Sequence, residues 1–241
     1  MKLPLVCLPF AGAGASVFRP WRDYPADSFE VVPVQLPGRE ELFIEDPYTS
    51  LAEAAAGTAE RILAAVCDRP YALFGHSFGA LLAHATVQLL HSKGLHLPER
   101  LIISGAAAPW LPRPHIGVAA LTDEELASRV RELVGYDHEA FHDPELRELV
   151  VPALRADMTI NESPAATEPT TPLPVPISVL RGTEDELITR ADALQWTRAT
   201  NVACELIDVP GEHMYFSTDW PKLWNTIDEL LDRGRRARRP S

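Results

Sequence analysis

The stretch Tyr71-Ala-Leu-Phe-Gly-His-Ser-Phe-Gly-Ala-Leu-Leu82 constrains the fold of this chain more than any other. An apolar run, the turn Gly75-His76-Ser77-Phe78-Gly79 and a second apolar run read as strand, tight turn and helix. The glycines two residues either side of Ser77 have a steric job. A serine at the apex of such an elbow takes a strained backbone conformation, and a side chain at either flank would crowd the turn. The G-x-S-x-G spacing gains its meaning from this setting, and from whether an acid and a histidine follow it in order.

The rest of the chain fits the elbow. Strand-like, Val/Ile/Leu-rich runs at residues 3–8, 29–35, 71–75, 101–104, 176–181 and 203–209 alternate with helix-like runs, which predicts an α/β fold around a mainly parallel sheet. Ser50-Leu-Ala-Glu53 predicts a capping box opening a helix whose apolar face carries Leu51, Ala55, Thr58, Ile62 and Ala65. The elbow helix is expected over about 77–90 and a last helix over about 219–231. Between about 109 and 174 no strand is expected. Thr122-Asp-Glu-Glu125 is a second capping box, with Leu121 and Leu126 spaced as a hydrophobic staple and Val130, Leu133 and Val134 following at helical spacing. Asp143-Pro144 starts another helix, which Pro152 is expected to end or kink. Two short helices inserted between strands predict a lid over about 110–172. The expected organisation is one domain, residues 1–234, and a basic tail, 235–241.

Composition excludes several classes. Hydrophobic residues make up 46% of 241, enough for a sizeable core. No apolar run approaches the roughly 18 residues a membrane helix needs. The apolar run within Met1–Phe10 is too short for a signal peptide and reads as the first strand. Cys7, Cys67 and Cys204 are odd in number and widely spaced, suggesting neither a disulfide framework nor a metal site, and a reducing cytoplasm as compartment. The net charge is −12, although five of the 22 basic residues crowd into 233–239. So acidic a body argues against a nucleic-acid partner.

A serine hydroxyl is a weak nucleophile and needs a base, a group to orient the base, and donors for an oxyanion. The candidate base is His213 in Pro210-Gly-Glu-His-Met-Tyr-Phe216, a loop after a strand. His76 adjoins the serine, but its side chain must point away from that of Ser77. The candidate acid is Asp185 in Gly182-Thr-Glu-Asp-Glu186, flanked by Glu184 and Glu186, with Asp208 as its rival. Ser77…Asp185…His213 is the chain order of α/β-hydrolases and not that of chymotrypsin-type or subtilisin-type enzymes. Oxyanion donors are expected from the backbone N–H groups of Phe78 and of Ala11, in the loop Pro9-Phe-Ala-Gly-Ala-Gly-Ala-Ser16. That loop is a poor dinucleotide fingerprint, because Val17 stands where the third glycine belongs. Ser104-Gly105, a polar strand end outside the G-x-S-x-G frame, is read as structural.

With these residues in hand, the sequence resembles the type II thioesterases that accompany modular polyketide and non-ribosomal peptide synthetases. Leu8-Pro-Phe-Ala-Gly-Ala-Gly14, Val34-Gln-Leu-Pro-Gly-Arg-Glu40, Phe74-Gly-His-Ser-Phe-Gly-Ala80, Val151-Pro-Ala-Leu-Arg-Ala-Asp157, Gly182-Thr-Glu-Asp185 and Gly211-Glu-His213 carry the resemblance, over nearly the whole chain. It departs where the family usually has Gly-Gly-His-Phe-Phe and this chain has Gly211-Glu-His-Met-Tyr215. The resemblance implies an α/β-hydrolase fold. It also implies hydrolysis of acyl groups from the phosphopantetheine arm of acyl or peptidyl carrier proteins, clearing stalled or mis-primed modules. Ser77, Asp185 and His213 would form a triad, and no cofactor or metal of the enzyme's own would be needed. The same residues also fit a general esterase or acyltransferase, or an inactive scaffold that binds.

Overall fold

A computed structural model describes every residue except Met1, Pro25, Asp27, Tyr136, His138, 165–170, Asp219 and 239–241; the side chains of Asp23, Thr218 and 235–238 also lie outside the description. Six strands, β1 (Leu3–Leu8), β2 (Phe29–Pro33), β3 (Ala72–His76), β4 (Arg100–Ser104), β5 (Ile177–Gly182) and β6 (Cys204–Val209), form one sheet in the order β2-β1-β3-β4-β5-β6. Every pairing is parallel. After β1 the chain steps out to the β2 edge and returns across it to β3. The order therefore reverses between β1 and β3, the switch point where open α/β sheets bind ligands beyond their strand ends.

The helices are α1 (Arg19–Asp23), α2 (Leu51–Val66), α3 (Phe78–Ser92), α4 (Asp123–Val134), α5 (Pro144–Asn161), α6 (Arg190–Leu194), α7 (Tyr215–Thr218) and α8 (Trp220–Arg238). Strand alternation divides the core. Val6, Leu8, Leu73, Leu101 and Ile103 pack with Ile62 of α2 and with Leu82 and Val87 of α3. Leu5, Cys7, Phe74 and Ile102 face the other way, onto Trp21 of α1 and onto Trp224 and Ile227 of α8. With both faces covered, the central strands can be apolar at nearly every position, as their sequences are.

The expected strands are all present, with ends moved by one or two residues. Ser50 caps α2 by accepting from the Glu53 N–H, but the Glu53 carboxylate bonds the N–H and hydroxyl of Thr49, so the reciprocal half of the expected box forms one residue earlier. The Thr122–Glu125 box is complete. Asp143 caps α5 through the N–H groups of Glu145 and Leu146. Pro152 does not end α5, which runs on to Asn161. Its missing N–H would have bonded the Glu148 carbonyl; both residues face solvent, where water can serve that oxygen, while Val151, Ala153 and Leu154 hold the other face in the core. At the other terminus α8 continues to Arg238, into the segment expected to be a tail.

Helices α4 and α5 have their own small core with Val118, made of Leu126, Val130, Val151, Leu154 and Met158, and stand where the lid is expected. Glu162, just past α5, accepts from the N–H groups of Ile116, Gly117 and Val118 and so fixes the lid's entry strap.

Candidate active site

Ser77 sits at the turn between β3 and α3 with φ +54° and ψ −117°, a positive-φ conformation rare for a residue with a side chain. The turn closes only because its flanks are glycines. A Cβ on Gly75 would lie 2.1 Å from the Gly79 carbonyl oxygen, and one on Gly79 would lie 2.5 Å from the carbonyl oxygens of Leu8 and Pro9. The Ser77 N–H donates to the Ser104 carbonyl at 2.8 Å, which ties the elbow to the end of β4. Such strain persists where the surroundings over-determine it, as this packing does.

Asp185 and His213 reach the serine from the ends of β5 and β6. The two loops are tied by the Glu184 N–H donating to the Gly211 carbonyl at 3.0 Å. They approach so closely that a Cβ on Gly182 would meet the same oxygen at 2.5 Å. Asp185 Oδ1 accepts the N–H groups of Leu187 and Ile188, while Oδ2 accepts from His213 Nδ1 at 2.9 Å. Since the carboxylate can only accept, Nδ1 carries the proton and Nε2 presents its lone pair to Ser77 Oγ, 3.1 Å away. Asp185 is 4% exposed and His213 6%, so this line is largely screened from water. The flanking Glu184 and Glu186 are exposed. The rival Asp208 is turned outward onto Arg181 and Arg190. Geometrically, the hydroxyl proton of Ser77 has a short path to an imidazole whose tautomer is fixed.

A second buried line lies beneath this one. Tyr215 O–H donates to the Leu180 carbonyl at 3.0 Å, and its oxygen is 2.5 Å from Ser104 Oγ, which is 2.9 Å from His76 Nδ1. A phenol has one proton, so Ser104 must donate to Tyr215 and His76 Nδ1–H to Ser104. Burial holds the His76 pKa well below the usual value, and nearby His213, 5.5 Å away between ring centroids, pushes it the same way. His76 is thus neutral, packed between the His213 and Phe216 rings, and points away from Ser77 as its place in the elbow requires.

The loop after β1 is held almost entirely by side chains from elsewhere. Gln35 Oε1 accepts the Ala15 N–H, and Glu40 accepts the Ser16 N–H and hydroxyl. Gly12 N–H donates to Asp157 Oδ2 at 2.8 Å, and Ala13 N–H to the Phe10 carbonyl. The Ala11 N–H takes no part in these bonds. Phe78 is the first residue of α3, so its N–H has no intrahelical partner. Ala11 lines the same cavity as Ser77, and Phe78 is the chain neighbour of Ser77.

That cavity, about 510 Å³, is lined by Ser77 together with residues of the loop and of the lid. Its walls are mainly apolar, with Phe10, Val130, Val134, Leu154, Met158 and Met214 among them. The size is that of small-molecule sites. Among the described residues no cluster of three or more His, Cys, Asp or Glu side chains could hold a metal ion, and no helix is long and apolar enough to cross a membrane.

Sequence reasoning gave no role to Arg39 and Asp157, nor to Tyr215. The first two stand inside the motifs that carry the family resemblance, which marks them without saying why. Tyr215 stands at a departure from the family pattern.

Comparison with known proteins matches this architecture. The family profile described as "Thioesterase domain" covers residues 3–231. The chain is 34% identical to the thioesterase PikA5 of Streptomyces venezuelae over 231 residues, spanning 94% of this chain and 80% of that one. It is 32% identical to the gramicidin S biosynthesis protein GrsT of Aneurinibacillus migulanus, over 89% of this chain and 83% of the relative. Among solved structures, the RedJ thioesterase of the prodiginine pathway in Streptomyces coelicolor superposes with a TM-score of 0.85 at 31% identity, covering 94% of this chain and 89% of that one.

Proposed function

The chain belongs to the thioesterase family and is a thioester hydrolase of the α/β-hydrolase fold, and on that premise we propose that it releases acyl groups from the phosphopantetheine arm of carrier proteins, through a Ser77–His213–Asp185 triad. The observation that carries this reading is the hydrogen-bonded line from Asp185 through His213 to Ser77, which lines a mainly apolar cavity. The relatives named for gramicidin S and prodiginine biosynthesis support a role beside a synthetase, where stalled or mis-primed acyl groups need removal.

In this mechanism His213 Nε2 takes the Ser77 proton as Oγ attacks the thioester carbonyl. Asp185 stabilises the resulting imidazolium and keeps its orientation. The oxyanion of the tetrahedral intermediate is held by the N–H groups of Ala11 and Phe78, donors in place before the charge develops. Collapse breaks the C–S bond; the pantetheine leaves as thiolate and takes up the His213 proton. Water, losing a proton to His213, then attacks the acyl-Ser77 ester, and the carboxylic acid departs as Ser77 regains its hydrogen. The reaction needs no cofactor or metal from the enzyme, since the pantetheine arrives with the substrate. A cytoplasmic setting alongside the synthetase follows from that partnership.

The test compares one acyl group on a carrier protein, on free pantetheine and as a simple oxygen ester, with Ser77→Ala as baseline. The expected order of kcat/KM is carrier, pantetheine, ester. Faster turnover of the ester than of the carrier would replace this reading with a general esterase. Turnover by Ser77→Ala near that of the unaltered chain would remove Ser77 as nucleophile.

A further inference from the structure

A buried ion pair joins Asp157 of the lid helix α5 to Arg39, in the segment after β2, and both partners hydrogen-bond the loop that carries Ala11. Asp157 and Arg39 are 3% and 5% exposed. Arg39 Nη1 and Nη2 reach Asp157 Oδ2 and Oδ1 at 2.5 and 3.0 Å, a fork matching both carboxylate oxygens. Nη1 also donates to the Ala13 carbonyl at 3.2 Å, and Nε to the Pro37 carbonyl at 3.2 Å. Oδ2 of Asp157 accepts in addition the N–H of Gly12, the residue after Ala11. One carboxylate therefore touches, at a single oxygen, both the guanidinium and the loop backbone.

The same helix presses on the same glycine one turn away. Gly12 has φ +76°, and a Cβ there would lie 2.9 Å from Leu154 Cβ and 3.2 Å from Leu154 Cα. Leu154 and Asp157 are three apart and share a helix face. Between them they fix the Gly12 N–H, which belongs to the rigid peptide plane that begins at the Ala11 Cα. The Ala11 N–H is hinged at that Cα, so where α5 sits decides where this N–H points. Leu154 and Met158 on α5 also wall the cavity.

We propose that Arg39 and Asp157 are positioning residues that lock the Ala11 oxyanion donor to the lid helix, so that the helix contacting the acyl group also sets the hole. The proposal rests on the assignment of Ala11 as a donor in the mechanism above. It assigns a task to two residues 118 positions apart, neither of which lies within hydrogen-bond reach of the triad. A dislodged donor weakens the transition state more than the bound substrate, so the loss belongs in kcat.

The experiment uses Asp157→Asn and the paired variant Arg39→Met with Asp157→Leu. The pair removes both charges together, so no ion is stranded in the interior. Folding is checked by circular dichroism and thermal melting. Each chain is assayed for kcat and KM on an acyl-pantetheine. Each is also assayed for inhibition by two ligands carrying the same acyl chain: a trifluoromethyl ketone, which adds Ser77 and places an oxyanion in the hole, and a thioether, which cannot. We expect kcat to fall by roughly 10- to 100-fold, somewhat less than for outright loss of a hole donor. KM and thioether affinity should stay within about threefold, and ketone affinity should fall in step with kcat. Equal loss for ketone and thioether, or kcat within twofold of the unaltered chain in either folded variant, would reduce the ion pair to a structural strut. If the unaltered chain itself bound ketone no better than thioether, the oxyanion hole would fall first, and the positioning role with it.

Discussion

Ser77, Asp185 and His213 stand on turns that follow β3, β5 and β6, and main-chain bonds knit those turns together: Ser77 to Ser104, Thr183 to Val209, Glu184 to Gly211. The lid across the cavity is held differently. Its two helices pack with Val118 around a small apolar core, Glu162 and Arg113 tie the entry strap to the end of α5, and side chains of Asp157 and Leu154 meet Gly12 of the body. Backbone ladders fix positions to fractions of an ångström whatever the side chains do, whereas side-chain contacts can be exchanged without undoing the fold. The chemistry is thus built into the sheet, and the wall that meets the acyl group is built on replaceable contacts.

The sharpest break of that contrast would come from the acid. Asp185→Asn should lower kcat/KM by about 10⁴-fold, because an amide no longer holds the His213 tautomer. Asp208→Asn, which only loosens surface pairs with Arg181 and Arg190, should stay within about threefold. Steady-state kinetics on an acyl-pantetheine checks both; the reverse ranking would move the acid to β6. Next in size, Leu154→Ala should remove about 2–5 kcal/mol of packing from the lid. Amide hydrogen exchange should then rise along α4 and α5 while β3 and β4 keep their protection. Equal loss in both regions would mean that lid and sheet unfold as one unit.

Acid should separate the regions as well. His84, 2% exposed, has its pKa lowered by burial to about 4 from an ordinary 6.5. Between those values the unfolded chain holds a proton that the folded chain refuses, so stability falls as pH drops from about 6.5 towards 4. From this group the loss is about 2 kcal/mol at pH 5, and the lowered His76 adds in the same direction. The lid histidines His115 and His142 are exposed beside Glu162 and Asp137 and share no such burial. Urea unfolding at pH 7 and pH 5 measures the difference, and His84→Leu should shrink it; an undiminished difference would place the acid sensitivity elsewhere. The smallest effect is expected from Tyr215→Phe, which removes the hydroxyl shared by Leu180 and Ser104. It should cost about 1 kcal/mol, a drop in Tm of roughly 2–4 °C. Full retention of Tm would mean that the Phe usual in the family packs as well without the buried line.

Much of the sheet was legible because its signals are local. Glycines at 75 and 79 mark a turn no other residue could close, and doubly buried strands must be apolar throughout. The lid was legible as helices from Thr122 and Asp143, its caps, but not that the second would run on past Pro152. A proline's cost depends on whether the freed carbonyl faces water, and a linear pattern does not say which way the helix is turned. The Arg39–Asp157 pair left no spacing signal at all.

The sequence by itself determined the order of elements and the serine at its elbow, with acid candidates and then a histidine following it, since each follows from the steric and burial demands of a few neighbouring residues. Only the tertiary structure decided that Asp185 rather than Asp208 faces the histidine, that Tyr215 and Ser104 hold His76 in one tautomer, and that Asp157 of the lid helix bonds Gly12. The physical reason is distance along the chain. A hydrogen bond is decided at about 3 Å in space, and partners 28, 111 or 145 residues apart are brought within that reach only when the whole sheet and its lid have packed.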